Sequence, residues 1–213
     1  MVLLGSIHLA GAEAIGPKAV WKPSTGTIHE IMAKCTKPAP SDLSACFIRE
    51  MRDSGASADA VILSHQLKEQ THGLIGFLRE FRNIGKVDVA YVEYVFRANE
   101  NQGCYLVNGN PDLIDVDNLQ LLATKNLEDN AQYAAIKKQY PAVSIWPGDR
   151  NSLNTPVAEK LPQGGQRFIV DYWLQEGCHA CARIGQLQFA FDFDSSGKFQ
   201  GAQVHSVEAA GTK

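Results

Sequence analysis

The sequence has no excess of charge of either sign. Its 20 Lys and Arg residues stand against 23 Asp and Glu residues, and the formal net charge at pH 7 is -3. A chain without an extended positive field is not expected to bind a nucleic acid backbone or an anionic membrane surface. The chain also lacks any apolar run approaching the roughly 18 residues of a membrane-spanning helix. We therefore predict no nucleic acid partner and no membrane span.

Motifs of nucleotide and hydrolase chemistry are absent as well. There is no Gly-rich phosphate loop, and no Ser, Cys or Thr has the strand–turn–helix setting of a nucleophile elbow. Haem attachment would require His directly after Cys181, where Ala182 stands. The sequence thus gives no support for a cofactor, and we predict none.

Cysteine is scarce, with five residues in 213, but its spacing is informative. The economical pairing joins Cys35 to Cys46 and Cys178 to Cys181, since each disulfide closes a short loop, and it leaves Cys104 outside a disulfide. Disulfides persist in oxidising compartments, so this pairing predicts a periplasmic or secreted protein. In a cytosolic protein the same residues would be reduced thiols, and the two predictions therefore depend on each other.

The first residues of the chain give a second indication of export. Residues 1–14 form a short apolar run that ends in Ala12-Glu13-Ala14, which fits the small-x-small rule for signal cleavage. We interpret residues 1–14 as the remnant of a signal peptide. The alternative is an ordinary N-terminal strand or arm, because no Lys or Arg precedes the run.

Residues 15–213 have the length of a single domain and an α+β pattern. Apolar stripes at helical spacing predict an αα-hairpin in a helical part over about 41–82. The sheet-containing part covers about 86–208, where β-branched and aromatic residues become frequent, and its closing strands are expected at 168–174, 184–193 and 199–207. Short turns between sequential strands predict antiparallel pairing.

The fold class expected from these elements is α+β. One antiparallel sheet of about five to seven strands should be packed on one face by the αα-hairpin and by middle helices. The second helix of the hairpin is expected to run to about Arg82, and the middle helices to cover 117–124 and 127–139.

The most distinctive local motif is residues 177–181, with the sequence GCHAC. Two sulfurs three residues apart can form a structural clip, a redox-active disulfide or half of a zinc site. The residues after Cys181 alternate as a strand, so the helix that stabilises a thiolate in thioredoxin-like enzymes is missing. We favour the clip. The alternative is a thiol-disulfide oxidoreductase in which Cys178 attacks, Cys181 resolves and His179 modulates the thiol pKa.

A short loop closed by a disulfide presents its residues rigidly and loses little entropy when it docks into a partner. This loop resembles the Cys-bounded, His-presenting loop of bacterial periplasmic lysozyme inhibitors, a likeness confined to residues 177–182. The resemblance implies an inhibitor-like protein that contacts its partner through His179.

A second candidate contact region lies in the long loop over 147–166, which is rich in Pro, Gly, Asn, Asp and Ser. Around its start, Trp146, Asp149 and Arg150 combine an aromatic platform, a carboxylate and a guanidinium, which suits sugar or peptide recognition. A structural turn is the alternative. We predict a non-enzymatic binding or inhibitor-like protein whose unidentified protein, peptide or glycan ligand contacts Trp146, Asp149, Arg150 and His179.

Asp192, Asp194 and Ser196 match the first half of a calcium-binding loop, with Gly197 at the bend. Gln203 stands where such a loop carries a bidentate Glu, and strands replace the expected flanking helices. The favoured interpretation is a hairpin turn in which Asp and Ser side chains bond to the backbone and Gly197 takes a positive φ. We therefore predict no metal site, and a calcium-binding loop is the weaker interpretation of this segment.

Overall fold

The computed structural model describes residues 14–37, 42–97, 101–122, 124–148 and 156–210. Within them lie five α-helices and nine strands, which confirms the mixed α+β class with antiparallel sheets. None of the described helices is long and apolar enough to cross a membrane. The helices are α1 (Thr25–Thr36), α2 (Leu43–Asp53), α3 (Ala58–Gln70), α4 (Thr124–Glu128) and α5 (Ala131–Gln139). The strands are β1 (Gly76–Arg82), β2 (Asp88–Tyr94), β3 (Gln102–Val107), β4 (Leu113–Asp115), β5 (Val143–Pro147), β6 (Val157–Lys160), β7 (Gln166–Glu176), β8 (Arg183–Phe193) and β9 (Phe199–Ala209).

Side-chain caps explain where the first three helices begin. Ser24, Asp42 and Ser57 each accept a hydrogen bond from the backbone N–H three residues later, at 3.0, 2.9 and 3.1 Å. Each cap satisfies an N–H group that has no partner inside its helix. The helices α2 and α3 form the predicted αα-hairpin, and α1, which the sequence pattern did not predict, packs against α2.

The second helix of the hairpin ends at Gln70, so the prediction that it continues to about Arg82 is wrong. Gly73, with φ at +114°, terminates it by donating its N–H to a carbonyl of the last helical turn at 2.8 Å. The chain then forms β1. A Cβ at Gly76 would come within 2.9 Å of the Tyr94 ring, so the approach of β1 to β2 requires glycine there.

The middle helices are shorter than predicted. Of the helix predicted over 117–124, the described residues 117–122 contain a 3₁₀ turn, Leu119–Leu121, and Thr124 begins α4. The helix expected over 127–139 is divided between α4 and α5. Asn130 starts α5 by accepting hydrogen bonds from two backbone N–H groups at 3.0 and 3.1 Å. The Asn130 cap therefore starts a new helix within the apolar pattern that had predicted one continuous helix. The long loop predicted over 147–166 also differs, because β6 lies within it.

The strands divide between two sheets, where one sheet had been expected. The first has the order β1-β2-β3-β4, and in the second β5-β7-β8-β9 is completed by β6, which pairs with the N-terminal half of β7. Within β1 to β4 and within β5 to β9, short turns determine which strands are neighbours. The helices α4 and α5 separate β4 from β5, so no turn joins the two series into one sheet.

The core is arranged in three layers: the helices α1 to α3, the first sheet, and the second sheet, against which α4 and α5 pack. Alternation along the strands sends one face of the first sheet toward the second sheet and the other face toward α3. The core between the sheets is the larger one, and its fully buried members include Val89, Leu106, Phe168, Val170, Leu187, Phe189 and Phe191. The outer face of the second sheet is polar, with ladders such as the Gln188 amide donating to the Asp171 carboxylate at 2.8 Å.

Hydrogen bonds also join the two sheets. Gln166 Oε1 accepts from the backbone N–H groups of Lys86 and Val87 at 2.9 and 2.8 Å, and its Nε2 donates to the Val87 carbonyl at 3.1 Å. Toward the other end of β7, the Tyr172 hydroxyl donates to the Val116 carbonyl at 2.5 Å. Backbone bonds of Asn110 to Gly197 and Phe199, both at 2.9 Å, make a third polar connection. The sheets are therefore connected both by apolar packing and by polar contacts at several places.

Candidate functional site

Both predicted disulfides are present. Cys35 and Cys46 join α1 to α2 with an Sγ–Sγ distance of 2.00 Å, and both residues are buried. Cys178 and Cys181 are bonded at 2.12 Å in the loop between β7 and β8. Cys104 keeps its thiol and is buried on β3. The pairing inferred from sequence spacing is thus confirmed.

The Cys178–Cys181 loop, residues 177–182, connects two strands. β7 ends at Glu176 and β8 begins at Arg183, and the Cys181 N–H donates to the Cys178 carbonyl at 3.1 Å to form a tight turn. His179 is exposed at its tip. No helix starts at this motif in the described part of the chain, so no helix N-terminus acts on either sulfur.

A cleft of about 740 Å³ opens beside this loop, between one end of the first sheet and the edge of the second. Such a volume is in the range of small-molecule sites. Two of the predicted contact residues, Trp146 and His179, line the cleft. Gly148 also lines it, and the predicted Asp149 and Arg150, which follow in the chain, lie outside the described residues.

Two tryptophans lie side by side in the cleft. Trp146 on β5 and Trp173 on β7 are direct cross-strand partners, and both are half-buried. The His179 ring meets the Trp146 ring nearly edge-on, with centroids 5.0 Å apart, and the Arg183 guanidinium lies 3.4 Å over the Trp173 ring. Trp146 Nε1 donates to Ser144 Oγ at 2.8 Å, which fixes the indole orientation. The pair is a preformed aromatic surface.

Two glutamine amides of the cleft wall have buried oxygens with no hydrogen-bond partner. These atoms are Oε1 of Gln102, at the start of β3, and Oε1 of Gln175, near the end of β7. Gln175 as a whole is only 9% exposed. A buried acceptor without a donor costs about 1–3 kcal/mol, and such groups are rare in folded proteins. The two glutamines found with such an oxygen among the described side chains are thus both residues of the wall of this cleft.

The sequence pattern had indicated Trp146 but neither Trp173 nor Gln175. Apolar alternation ended the predicted strand at Leu174, whereas β7 continues to Glu176 after a bulge between Leu174 and Gln175. Trp173 is placed by its register with β5, which is a nonlocal pairing. A signal that could have found Gln175 is its position directly after a strongly apolar strand.

The ionic groups that line the cleft balance each other. Arg97 and Arg183 contribute two positive charges, and Asp115 and Asp117 two negative ones. The carboxylates are held by the backbone, because Asp115 Oδ1 accepts from the Asp117 N–H at 2.9 Å and Asp117 Oδ2 from the Cys104 N–H at 3.3 Å. The formal charges of these four described groups cancel, and the cleft offers fixed polar groups without a strong field of one sign.

A buried tyrosine pair supports the first-sheet wall. The Tyr94 and Tyr105 hydroxyls are hydrogen-bonded to each other, and the Arg97 guanidinium lies 5.2 Å from the Tyr94 ring centroid. Burial raises the pKa of both tyrosines, so both are protonated at neutral pH. The pair thus anchors Arg97 at the cleft through a neutral aromatic surface.

The segment considered for calcium forms the turn between β8 and β9. Asp194 Oδ1 accepts from the Ser196 hydroxyl and N–H at 2.6 and 2.8 Å, and these bonds lower the pKa of Asp194. Asp192 is held by two 2.7 Å bonds from Arg167, and Gly197 has φ at +87°. This geometry is that of the hairpin turn. Across the described residues, no group of three or more His, Cys, Asp or Glu side chains could hold a metal ion.

Comparison of the chain with protein-family models, with curated proteins and with solved structures finds no match.

Proposed function

We propose that the protein is a non-enzymatic binding protein of an oxidising compartment, periplasmic or secreted, that holds its ligand in the cleft beside Trp146, Trp173 and Gln175. The observation that carries the proposal is the convergence of two unpartnered buried amide oxygens with an aromatic pair in one cleft. The unmet hydrogen bonds reduce the stability of the fold. A ligand that supplies the missing donors accounts for their retention.

The Cys178–Cys181 loop supports the same function as the rim of the cleft. The disulfide closes the loop, and the ring contact with Trp146 positions His179. A rim that is already ordered loses little conformational entropy on binding. The thiol-disulfide oxidoreductase alternative has weaker support, because the strand-turn-strand setting supplies no helix dipole to lower a thiol pKa.

The binding function is tested by thermal unfolding against a panel of neutral and charged oligosaccharides, short peptides, amino acids and nucleosides. The variants are Trp146→Ala and Gln175→Met, with Gln203→Met as a matched control on the exposed surface of β9. A ligand at 100 times its Kd stabilises by about 2.7 kcal/mol, which raises the unfolding midpoint of a chain of this size by about 5–10 °C. We expect one class of compound to raise the unfolding midpoint by this amount in the wild type and in Gln203→Met, and not in the two cleft variants. A panel without any such compound, or a shift retained by both cleft variants, refutes the function.

A further inference from the structure

The first constraint on the identity of the ligand comes from the tryptophan pair. The Trp146 indole, beside its cross-strand partner Trp173, offers an apolar ring on which a flat apolar face can pack, while the Arg183 guanidinium covers one face of Trp173. The polar groups Ser144, His179 and Arg183 contact these same rings at their edges or faces. A suitable ligand therefore combines an apolar ring face with polar groups around its rim.

The second constraint comes from the glutamine amides. Gln102 Oε1 and Gln175 Oε1 need hydrogen-bond donors. The NH₂ of an amide donates in turn to acceptors. A hydroxyl both donates and accepts, so adjacent hydroxyls of a ring can satisfy a whole amide. A ligand with only acceptors, such as a fully ionised phosphate or carboxylate, leaves the two oxygens unbonded.

The third constraint is charge. Arg97 and Arg183 are balanced by Asp115 and Asp117, so an anionic ligand gains attraction from the first pair and meets repulsion from the second. The same balance acts against a cationic ligand. A hydroxyl suits a wall with both kinds of group, because guanidinium donates and carboxylate accepts.

The open edge of β5 argues against an extended peptide as the ligand. The Gly148 N–H donates to a carbonyl of β7 at 3.0 Å, and such bonds alternate along an antiparallel strand, so the backbones of Val143, Ile145 and Pro147 turn away from β7. The Val143 N–H already donates within the chain at 3.0 Å, and Pro147 has no N–H. A peptide that paired with this edge as an additional strand could accept a hydrogen bond from one backbone N–H of β5, that of Ile145.

From these constraints we infer that the cleft binds a short, uncharged oligosaccharide, with a sugar ring packed on Trp146. Its ring hydroxyls bond to the amides of Gln175 and Gln102, whose oxygens are buried in the ligand-free protein and turn toward the cleft on binding. The inference rests on the proposed binding function. A cleft of about 740 Å³ is of the size that takes a ligand of two or three rings. His179 and Arg183 contact the tryptophan rings at the open side of this site.

Binding is measured by calorimetric titration and by tryptophan emission with five probes. Three are the neutral trisaccharides maltotriose, cellotriose and chitotriose; the others are anionic trigalacturonate and a trialanine peptide with blocked termini. Emission changes report the cleft, because the third tryptophan of the chain, Trp21, is buried in the helical layer. We expect saturable binding of at least one neutral trisaccharide, weakened about tenfold or more in Gln175→Met and Trp146→Ala and within twofold of wild type in Gln203→Met.

The outcomes separate the ligand class from the binding function. Tighter binding of trigalacturonate or of the peptide, with the same dependence on Gln175, overturns the oligosaccharide inference and leaves the binding function standing. Trisaccharide binding that is unchanged in both cleft variants overturns the assignment to this cleft. If neither these probes nor the wider panel binds, the binding function itself is refuted.

Discussion

Replacement of Gln175 by methionine should stabilise the ligand-free protein while it weakens binding. The Gln175 oxygen is buried without a donor, so removing it relieves a penalty of about 1–3 kcal/mol. Methionine keeps the unbranched length of the side chain, and the site is only 9% exposed, so the new methyl group is buried as well. We expect the unfolding free energy to rise by about 1–3 kcal/mol, equivalent to about 2–4 °C in Tm for each kcal/mol.

Gln166 provides a control in the same strand with the same exposure of 9%. Its amide makes three hydrogen bonds, so Gln166→Met leaves two backbone N–H groups and one carbonyl without partners. At about 1–3 kcal/mol for each group, the expected loss is at least about 3 kcal/mol. The same chemical change at the two ends of β7 should therefore have opposite effects on stability.

Urea unfolding followed by far-UV circular dichroism measures both effects under one set of conditions. An unchanged slope with a shifted midpoint shows that stability itself has changed. If Gln175→Met lowers the unfolding free energy by more than about 1 kcal/mol, the amide has a structural role. That result would refute the reasoning that treats Gln175 as a group awaiting a ligand.

Three further predictions concern the stability of the fold. Replacing Cys35 and Cys46 together by alanine opens a covalent loop with a sequence separation of 11, and the chain-entropy relation gives a loss of about 3 kcal/mol in urea unfolding; a loss under about 1 kcal/mol contradicts it. A backbone N–H of α2 and the Lys68 ammonium lower the pKa of Asp42, so its contribution is present above the ordinary value of 3.8 and disappears as pH falls through the lower folded value. Asp42→Asn should therefore make Tm fall less steeply as the pH is lowered. A fall in Tm as steep as in the wild type would contradict this. Burial raises the pKa of Tyr91 to about 12 from 10.0, so its contribution is present below pH 10 and is lost as pH rises through about 12. A spectrophotometric titration of Tyr91→Phe should lack one of the phenols that ionise late, near pH 12. If the missing phenol is instead one that ionises near pH 10, the prediction is wrong.

The parts of the fold that could be predicted are those fixed by local chemistry. The disulfides follow from spacing, because Cys35–Cys46 and Cys178–Cys181 close the shortest loops available. The turn after β8 follows from Asp194 and Gly197, whose side-chain bonding and positive φ are local properties. In each case the residues that decide the structure are close together in the chain.

The features that could not be predicted depend on distant residues. Apolar spacing continued through Gly76 as it would in a helix, and only packing against the Tyr94 ring shows why a strand forms there. The division into two sheets depends on which strands find partners after α4 and α5. The sequence indicates Trp146 of the site, but Gln175 lies beside a bulge and in a strand that pairs with β5, which no local pattern records.

The polar connections between the sheets have a consequence for the rates of binding. Gln166 joins the sheets at one end of β7, and the Tyr172 hydroxyl bonds to the Val116 carbonyl at the end nearer the cleft. A clamshell motion that widens the cleft would have to break the second contact and expose the aromatic core. We therefore expect entry to require rotation of the Gln102 and Gln175 side chains but no slow opening of the sheets. The association rate constant should then stay close to that of rigid partners, and differences in affinity between ligands should be expressed as residence times.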